Sequence, residues 1–123
     1  MSSINTDAFM LEGPGGTYSI AVTAVASTPI QLSPSSLAAL IDQLFVLNNG
    51  ANIAFLSFGA TSAAALAGAV VPTPGAPTIT YVANSKGKGS TTYSVPAGSW
   101  VSAVCPATLT TTIYLSVGSG LGQ

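Results

Sequence analysis

Apolar and polar residues alternate over several short stretches of the chain, which is the period of a β-strand with one buried face. Residues 17–25, for example, place Tyr18, Ile20 and Val22 on one side and mostly polar or small residues on the other. Clusters of Gly, Pro, Asn and Ser separate such stretches at intervals of about 8–12 residues, as in all-β folds. We therefore predict an all-β protein, a single β-sandwich or jelly roll of about seven or eight short antiparallel strands. The predicted strands cover residues 17–25, 30–32, 44–47, 52–58, 78–83, 91–95, 100–105 and 111–117.

Turn residues predict how some of these strands connect. Asn48-Asn49-Gly50 favours a tight turn because Asn and Gly tolerate positive φ, so a hairpin is expected between residues 44–47 and 52–58. Pro96-Ala97-Gly98 predicts a second hairpin, between residues 91–95 and 100–105. In two segments the sequence fits more than one local structure. Ser33-Pro34 is a helix-start signal, so residues 35–40 form a short helix or a single helical turn. The Ala-rich segment 60–71 fits either a helix or a loop.

Two hexapeptides share one pattern: AFLSFG at residues 54–59 and IYLSVG at residues 113–118. Each places three apolar residues on one side of a strand and ends at a Gly that can turn the chain. We interpret them as equivalent core strands in two halves of one sandwich. Phe55 occupies an outward position in the first copy, so a neighbouring molecule must cover this side chain if the monomer exposes it.

Charge is scarce along the whole chain. Charged residues make up 4% of the sequence, against about 25% in ordinary soluble domains. Two Lys are too few to neutralise the phosphates of a nucleic acid, and without His and with one Cys, imidazole and thiolate metal sites are excluded. Acid–base catalysis would depend on scattered carboxylates, so we expect neither an enzyme nor a cofactor. A weakly charged surface is more typical of a protein bound within an assembly. The charged residues are Asp7, Glu12, Asp42, Lys86 and Lys88.

Residues 53–71 carry no charge, so a membrane-spanning helix is an alternative to the strand interpretation of this segment. Against it stand the strand period of the first half and the absence of flanking Lys or Arg.

The N-terminus lacks the basic and apolar regions of a signal peptide. Cys105 lies between Val104 and Pro106, which favours a buried, unreactive side chain over a reactive thiol.

Several residues are candidate contacts with a partner. Residues 1–12 form a predicted N-terminal arm ahead of a sandwich domain at residues 13–123; the arm either packs across its own sandwich or reaches onto a neighbour. Trp100 begins a strand and fits a core or subunit-interface role better than stacking on a sugar ring. The loop around Lys86 is either a solvated loop tip or a contact with an acidic surface. The candidate interface residues are Ile4, Phe9, Met10, Leu11, Phe55, Lys86, Lys88 and Trp100.

Three segments resemble small virion proteins of tailed bacteriophages: LNNGANIAFLSFG, YSVPAGSWVSAV and TTTIYLSVGSGLGQ. The resemblance covers roughly residues 44–123, and its motifs are short. It implies a β-sandwich or jelly roll that decorates or cements capsids, or lies at collars and tails, and that works by binding without catalytic residues. The scarcity of charge in this chain departs from that pattern, so the resemblance does not indicate which surface contacts the partner.

The expected function is therefore that of a head decoration or cement protein on the outer surface of a virion, made in the host cytoplasm. Its expected partners are the major capsid protein and further copies of itself, as a trimer, with no nucleic acid and no membrane. One alternative is a collar, tail or fibre-head protein that binds a host glycan or receptor, with Trp100, Tyr81 and Tyr93 as candidate contacts. A small membrane protein is a more distant alternative.

Overall fold

The computed structural model describes residues 10–11, 17–32, 41–72, 81–87 and 90–119. Within these ranges the chain forms nine strands and one short helix, and seven of the strands have three or more residues. The elements are β1 (Met10–Leu11), β2 (Thr17–Val22), β3 (Ile30–Gln31), β4 (Ile41–Asn48), β5 (Ala54–Gly59), α1 (Ser62–Gly68), β6 (Tyr81–Ala83), β7 (Thr91–Pro96), β8 (Trp100–Val104) and β9 (Thr111–Ser119).

The strands form two antiparallel sheets, which confirms the predicted all-β sandwich. Sheet A has the order β1-β9-β4-β7, and β2 also pairs with β9; sheet B has the order β3-β8-β5-β6. Because β2 and β4 both pair with residues 113–116 of β9, they must lie on opposite edges of that strand. Met10 and Leu11 pair with Ser119 and Gly118, so β1 continues the β2 edge of sheet A. The end of the predicted N-terminal arm is thus joined to this sheet, while residues 1–9 lie outside the described residues.

The core lies between the two sheets and consists of aliphatic side chains from every second strand residue. In β9, Ile113 and Leu115 are fully buried, and in β5, Leu56 is fully buried. These strands carry IYLSVG and AFLSFG, and each is an inner strand of its own sheet. The two hexapeptides are therefore matching core strands of opposite sheets, as predicted. The buried cluster comprises Ile20, Val22, Leu32, Leu44, Val46, Ala54, Leu56, Ala83, Val95, Val101, Ala103, Cys105, Ile113, Leu115 and Val117.

Both predicted hairpins are wrong. β4 belongs to sheet A and β5 to sheet B, and β7 and β8 are divided in the same way. The turn residues reverse the chain as predicted, but they do not determine which strand pairs with which. Both sheets bury the same kind of apolar face against each other, so the next strand can join either sheet after the turn. Asn48-Asn49-Gly50 is therefore a corner between two sheets.

The Ala-rich segment forms α1, which settles the helix-or-loop alternative for residues 60–71 over Ser62–Gly68. Thr61 caps the helix, since its hydroxyl accepts a hydrogen bond from the Ala64 backbone N–H at 3.2 Å. α1 contacts β5 and β8, and its Ala65 side chain is fully buried. A Cβ at Gly59 would come within 2.7 Å of the Ala65 backbone N, so the missing side chain lets the helix approach the sheet closely. The other predicted helix, at residues 35–40, lies outside the described residues.

The uncharged stretch 53–71 thus contains a strand and a seven-residue helix. In the described part of the chain, helices fall short of the length and apolarity needed to cross a membrane.

Candidate interaction surface

The two outer faces of the sandwich differ in what covers them. α1 lies on the outer face of sheet B, where Ser57 and Ser102 are buried. No described element covers the outer face of sheet A, which we call the A face. Its outward positions are Thr17, Ser19, Ala21, Gln43, Phe45, Leu47, Thr92, Ser94, Pro96, Thr112, Tyr114 and Ser116.

The centre of the A face is apolar and aromatic. Leu47 on β4 and Tyr114 on β9 are direct cross-strand partners, and they remain 43% and 39% exposed. Phe45, two residues from Leu47, is half-buried beside them. A partner that covered this centre would remove apolar area from water, and such burial is favourable.

Hydroxyl and amide groups surround this centre. Gln43 Nε2 donates a hydrogen bond to Ser94 Oγ at 2.9 Å, which ties β4 to β7 along the face. Thr17 Oγ1 and Ser116 Oγ lie 3.5 Å apart on the other side. None of the outward side chains just named is Asp, Glu, Lys, Arg or His. The A face can therefore bind by apolar contact and neutral hydrogen bonds, without ion pairs.

The structure distributes the sequence-predicted interface residues over several places. Phe55 and Trp100 are half-buried on the outer face of sheet B, and Lys86 is exposed in the turn between β6 and β7. The Lys86 backbone N–H donates to Gly50 O at 2.7 Å, so the backbone of that turn is attached to the β4–β5 corner. Met10 and Leu11 lie at the edge of sheet A. Ile4, Phe9 and Lys88 fall outside the described residues.

Sequence reasoning missed Leu47 and Phe45 as surface candidates, although a signal was present. The run Leu44-Phe45-Val46-Leu47 is continuously apolar, whereas a strand with one solvated face alternates. Leu44 and Val46 are buried in the core, so Phe45 and Leu47 necessarily point to the other side. An uninterrupted apolar run in a sandwich strand therefore indicates that both faces have something to contact.

A second feature is an aromatic cluster where the β7 edge of sheet A meets the β6 edge of sheet B. The rings of Phe58 and Tyr81 meet edge to face at a centroid distance of 4.9 Å, as do those of Tyr81 and Tyr93. The Tyr93 hydroxyl donates to Val82 O at 2.6 Å and accepts from Val82 N at 3.0 Å, so it joins the two sheets. Trp100 is not part of this cluster because it points to the opposite face of sheet B from the buried Val101.

Beside the cluster lies a cavity of about 370 Å³. Its described walls are Phe58, Tyr81, residues 59–60 at the end of β5, and residues 96–99 from the end of β7 to the start of β8. The cavity therefore opens between the two sheets at the end of the sandwich where those two connections lie.

Comparison with protein-family models, with curated proteins and with solved structures finds no match. The chemistry of these surfaces must therefore be judged from the residues themselves.

That chemistry offers few reactive groups. Cys105 follows β8 directly and is fully buried, and burial raises the pKa of its thiol above the usual range. The thiol is thus kept protonated, which agrees with the predicted buried, unreactive side chain. Among the described residues, no group of three or more His, Cys, Asp or Glu side chains is placed to hold a metal ion.

Proposed function

We propose that this chain is a non-catalytic structural protein that attaches to the surface of a tailed-phage capsid, as a decoration or cement protein. The observation that carries the proposal is the A face, where Leu47 and Tyr114 pair across β4 and β9, stay exposed, and lie among outward side chains without charge. The sequence resemblance to phage virion proteins supplies the class of partner, namely the major capsid protein.

Attachment through the A face would rest on apolar burial and neutral hydrogen bonds. Each Å² of apolar surface removed from water contributes about 25 cal/mol. Ser and Thr hydroxyls around the apolar centre can donate to and accept from backbone groups of the partner. Such a contact needs a partner surface that is itself flat and uncharged, since a charged group buried against it would lose its hydration without a counter-charge.

The size of the A face supports attachment by several copies together. The eight residues of β4 span about 26 Å, and four neighbouring strands span about 19 Å. The resulting area of about 500 Å² is smaller than the roughly 800 Å² per partner of a stable interface. A homo-oligomer that presents several A faces at once, such as the expected trimer, would gain the missing affinity through avidity.

Quantitative mass spectrometry of purified virions tests this proposal directly. The particles are those of the phage that encodes the chain, and the readout is the copy number relative to the major capsid protein. A decoration protein repeats with the capsid lattice, so its copy number should be comparable to that of the capsid protein. About a dozen copies would indicate a collar or tail position, and absence from the particle would refute the virion assignment.

A further inference from the structure

We propose that the cavity beside Phe58 and Tyr81 is a binding site for a neutral saccharide, with one pyranose ring lying against the Tyr81 ring. The site is separate from the A face and does not depend on capsid attachment. Its volume of about 370 Å³ lies within the range of roughly 300–1,000 Å³ typical of small-ligand sites.

Tyr81 is a preformed stacking surface. Its ring lies in edge-to-face contact with Phe58 on one side and with Tyr93 on another, each at 4.9 Å between centroids. Tyr93 is in turn held by its two hydrogen bonds to the backbone of Val82, the residue next to Tyr81. Despite these contacts Tyr81 remains 39% exposed. A ring that is held in place and still exposed loses little conformational entropy when a ligand packs on it.

The opposite wall is also held by hydrogen bonds. Gln31 Nε2 donates to Gly98 O at 3.1 Å, and the Ser99 hydroxyl donates to Pro96 O at 2.6 Å. Leu32 N–H donates to Ser99 O at 2.9 Å. The turn at residues 96–99 is therefore held in place by hydrogen bonds within the chain.

The charge and polarity of the lining select the ligand class. None of the described lining residues is Asp, Glu, Lys, Arg or His, so these residues offer no counter-charge to an ionic ligand. An aromatic wall opposite the polar backbone of a turn suits a molecule with one apolar face and hydroxyls around its rim. A neutral pyranose has this form: its C–H groups pack on the aromatic ring by dispersion, while its hydroxyls bond to polar groups at the edge.

The test is an NMR titration of the ¹⁵N-labelled full chain with methyl glycosides of glucose, galactose, mannose and N-acetylglucosamine, with phenol as a planar aromatic probe. We expect at least one glycoside to shift the amides of Gly59, Ala60, Ala97 and Gly98 in a saturable manner. Tyr81→Leu keeps an apolar side chain but removes the ring. It should weaken binding about threefold to tenfold, the loss in affinity expected when one aromatic contact is removed.

Tyr114→Leu is the matched control because Tyr114 is exposed to the same 39% on the A face. It should leave the saccharide titration unchanged. The proposal is overturned if no glycoside shifts these amides in the wild-type chain, if only phenol does, or if Tyr114→Leu weakens binding as much as Tyr81→Leu. The wild-type shift map decides the matter even if Tyr81→Leu does not fold.

Discussion

At the scale of single residues, Asn48 organises the corner between the two sheets. Its side chain is 4% exposed. Its Nδ2 donates to Asn52 O at 2.8 Å and to Ala83 O at 3.1 Å. Its Oδ1 accepts from Gly50 N at 2.9 Å and from Thr111 Oγ1 at 2.6 Å. One side chain therefore connects the end of β4 to the loop before β5, the end of β6 and the start of β9.

Replacing Asn48 by Ala should destabilise the protein strongly. The substitution leaves several buried donors and acceptors without a partner, and each such group costs about 1–3 kcal/mol. We expect a loss of about 3 kcal/mol or more in the free energy of unfolding, measured by urea denaturation. Asn52→Ala is the control, since it removes a single exposed bond from Asn52 Nδ2 to Thr110 O and should cost about 1 kcal/mol. Equal losses in the two variants would contradict the role given to Asn48.

Asn48 also shows which features of this corner can be predicted from the sequence and which cannot. Asn48-Asn49-Gly50 correctly predicts a tight change of direction, because the preference of Asn and Gly for such turns is local. It does not predict that the turn joins two sheets. That outcome depends on the contacts of Asn48 with Ala83 and Thr111, which are 35 and 63 residues away along the chain.

At the scale of elements, α1 makes the two sides of the sandwich unequal. The helix has no acidic residue in its first turn and no basic residue in its last, so its own ends contribute little electrostatic stability. At seven residues it is also far shorter than the roughly 12–15 residues at which isolated helices become marginally stable. Packing of Ala65 on sheet B must therefore hold it in place. This dependence explains why composition alone left residues 60–71 open between helix and loop.

Gly59→Ala tests whether α1 lies against sheet B. The new Cβ would meet backbone atoms of Ala64 and Ala65 at 2.7–3.0 Å, and backbone moves less readily than a flexible side-chain end. We expect a destabilisation of about 1–3 kcal/mol, together with faster hydrogen exchange over Ser62–Gly68. Ala67→Ser, an exposed position on the same helix, should change stability by no more than about 0.5 kcal/mol. Unchanged stability and exchange in Gly59→Ala would show that the helix does not pack there.

At the scale of the whole molecule, α1 covers the outer face of sheet B, whereas among the described elements nothing covers the A face. The all-β class, most strands and the inward sides of β5 and β9 could be predicted because they depend on a two-residue period within each strand. The division of strands between sheets could not, because both sheets bury the same kind of apolar face. The apolar run of β4 indicates that Phe45 and Leu47 point outward, but the pairing that brings Leu47 beside Tyr114 on β9 could not be predicted, because it depends on the register of distant strands.

Scarcity of charge predicts how attachment responds to salt. Ion pairs exposed to solvent weaken as the Debye length falls from about 10 Å at 0.1 M salt to about 3 Å at 1 M. An interface formed by Leu47, Tyr114 and neutral hydroxyls would lose little affinity when salt screens charges. We expect occupancy on purified particles to change less than about twofold over this range, measured by co-sedimentation. Release of most of the protein by 1 M NaCl would show that ion pairs carry the attachment.

The central claim is that the A face binds the capsid, and a pair of charge substitutions tests it most directly. Leu47 on the A face and Leu66 on α1 are similarly exposed, at 43% and 45%. Leu47→Asp and Leu66→Asp would each be mixed with particles lacking the protein, after circular dichroism has shown that both variants fold. Burying an unpaired carboxylate in the interface should lower the occupancy of Leu47→Asp by about tenfold or more, while Leu66→Asp should bind like the wild type. Wild-type occupancy of Leu47→Asp, or loss confined to Leu66→Asp, would contradict the account.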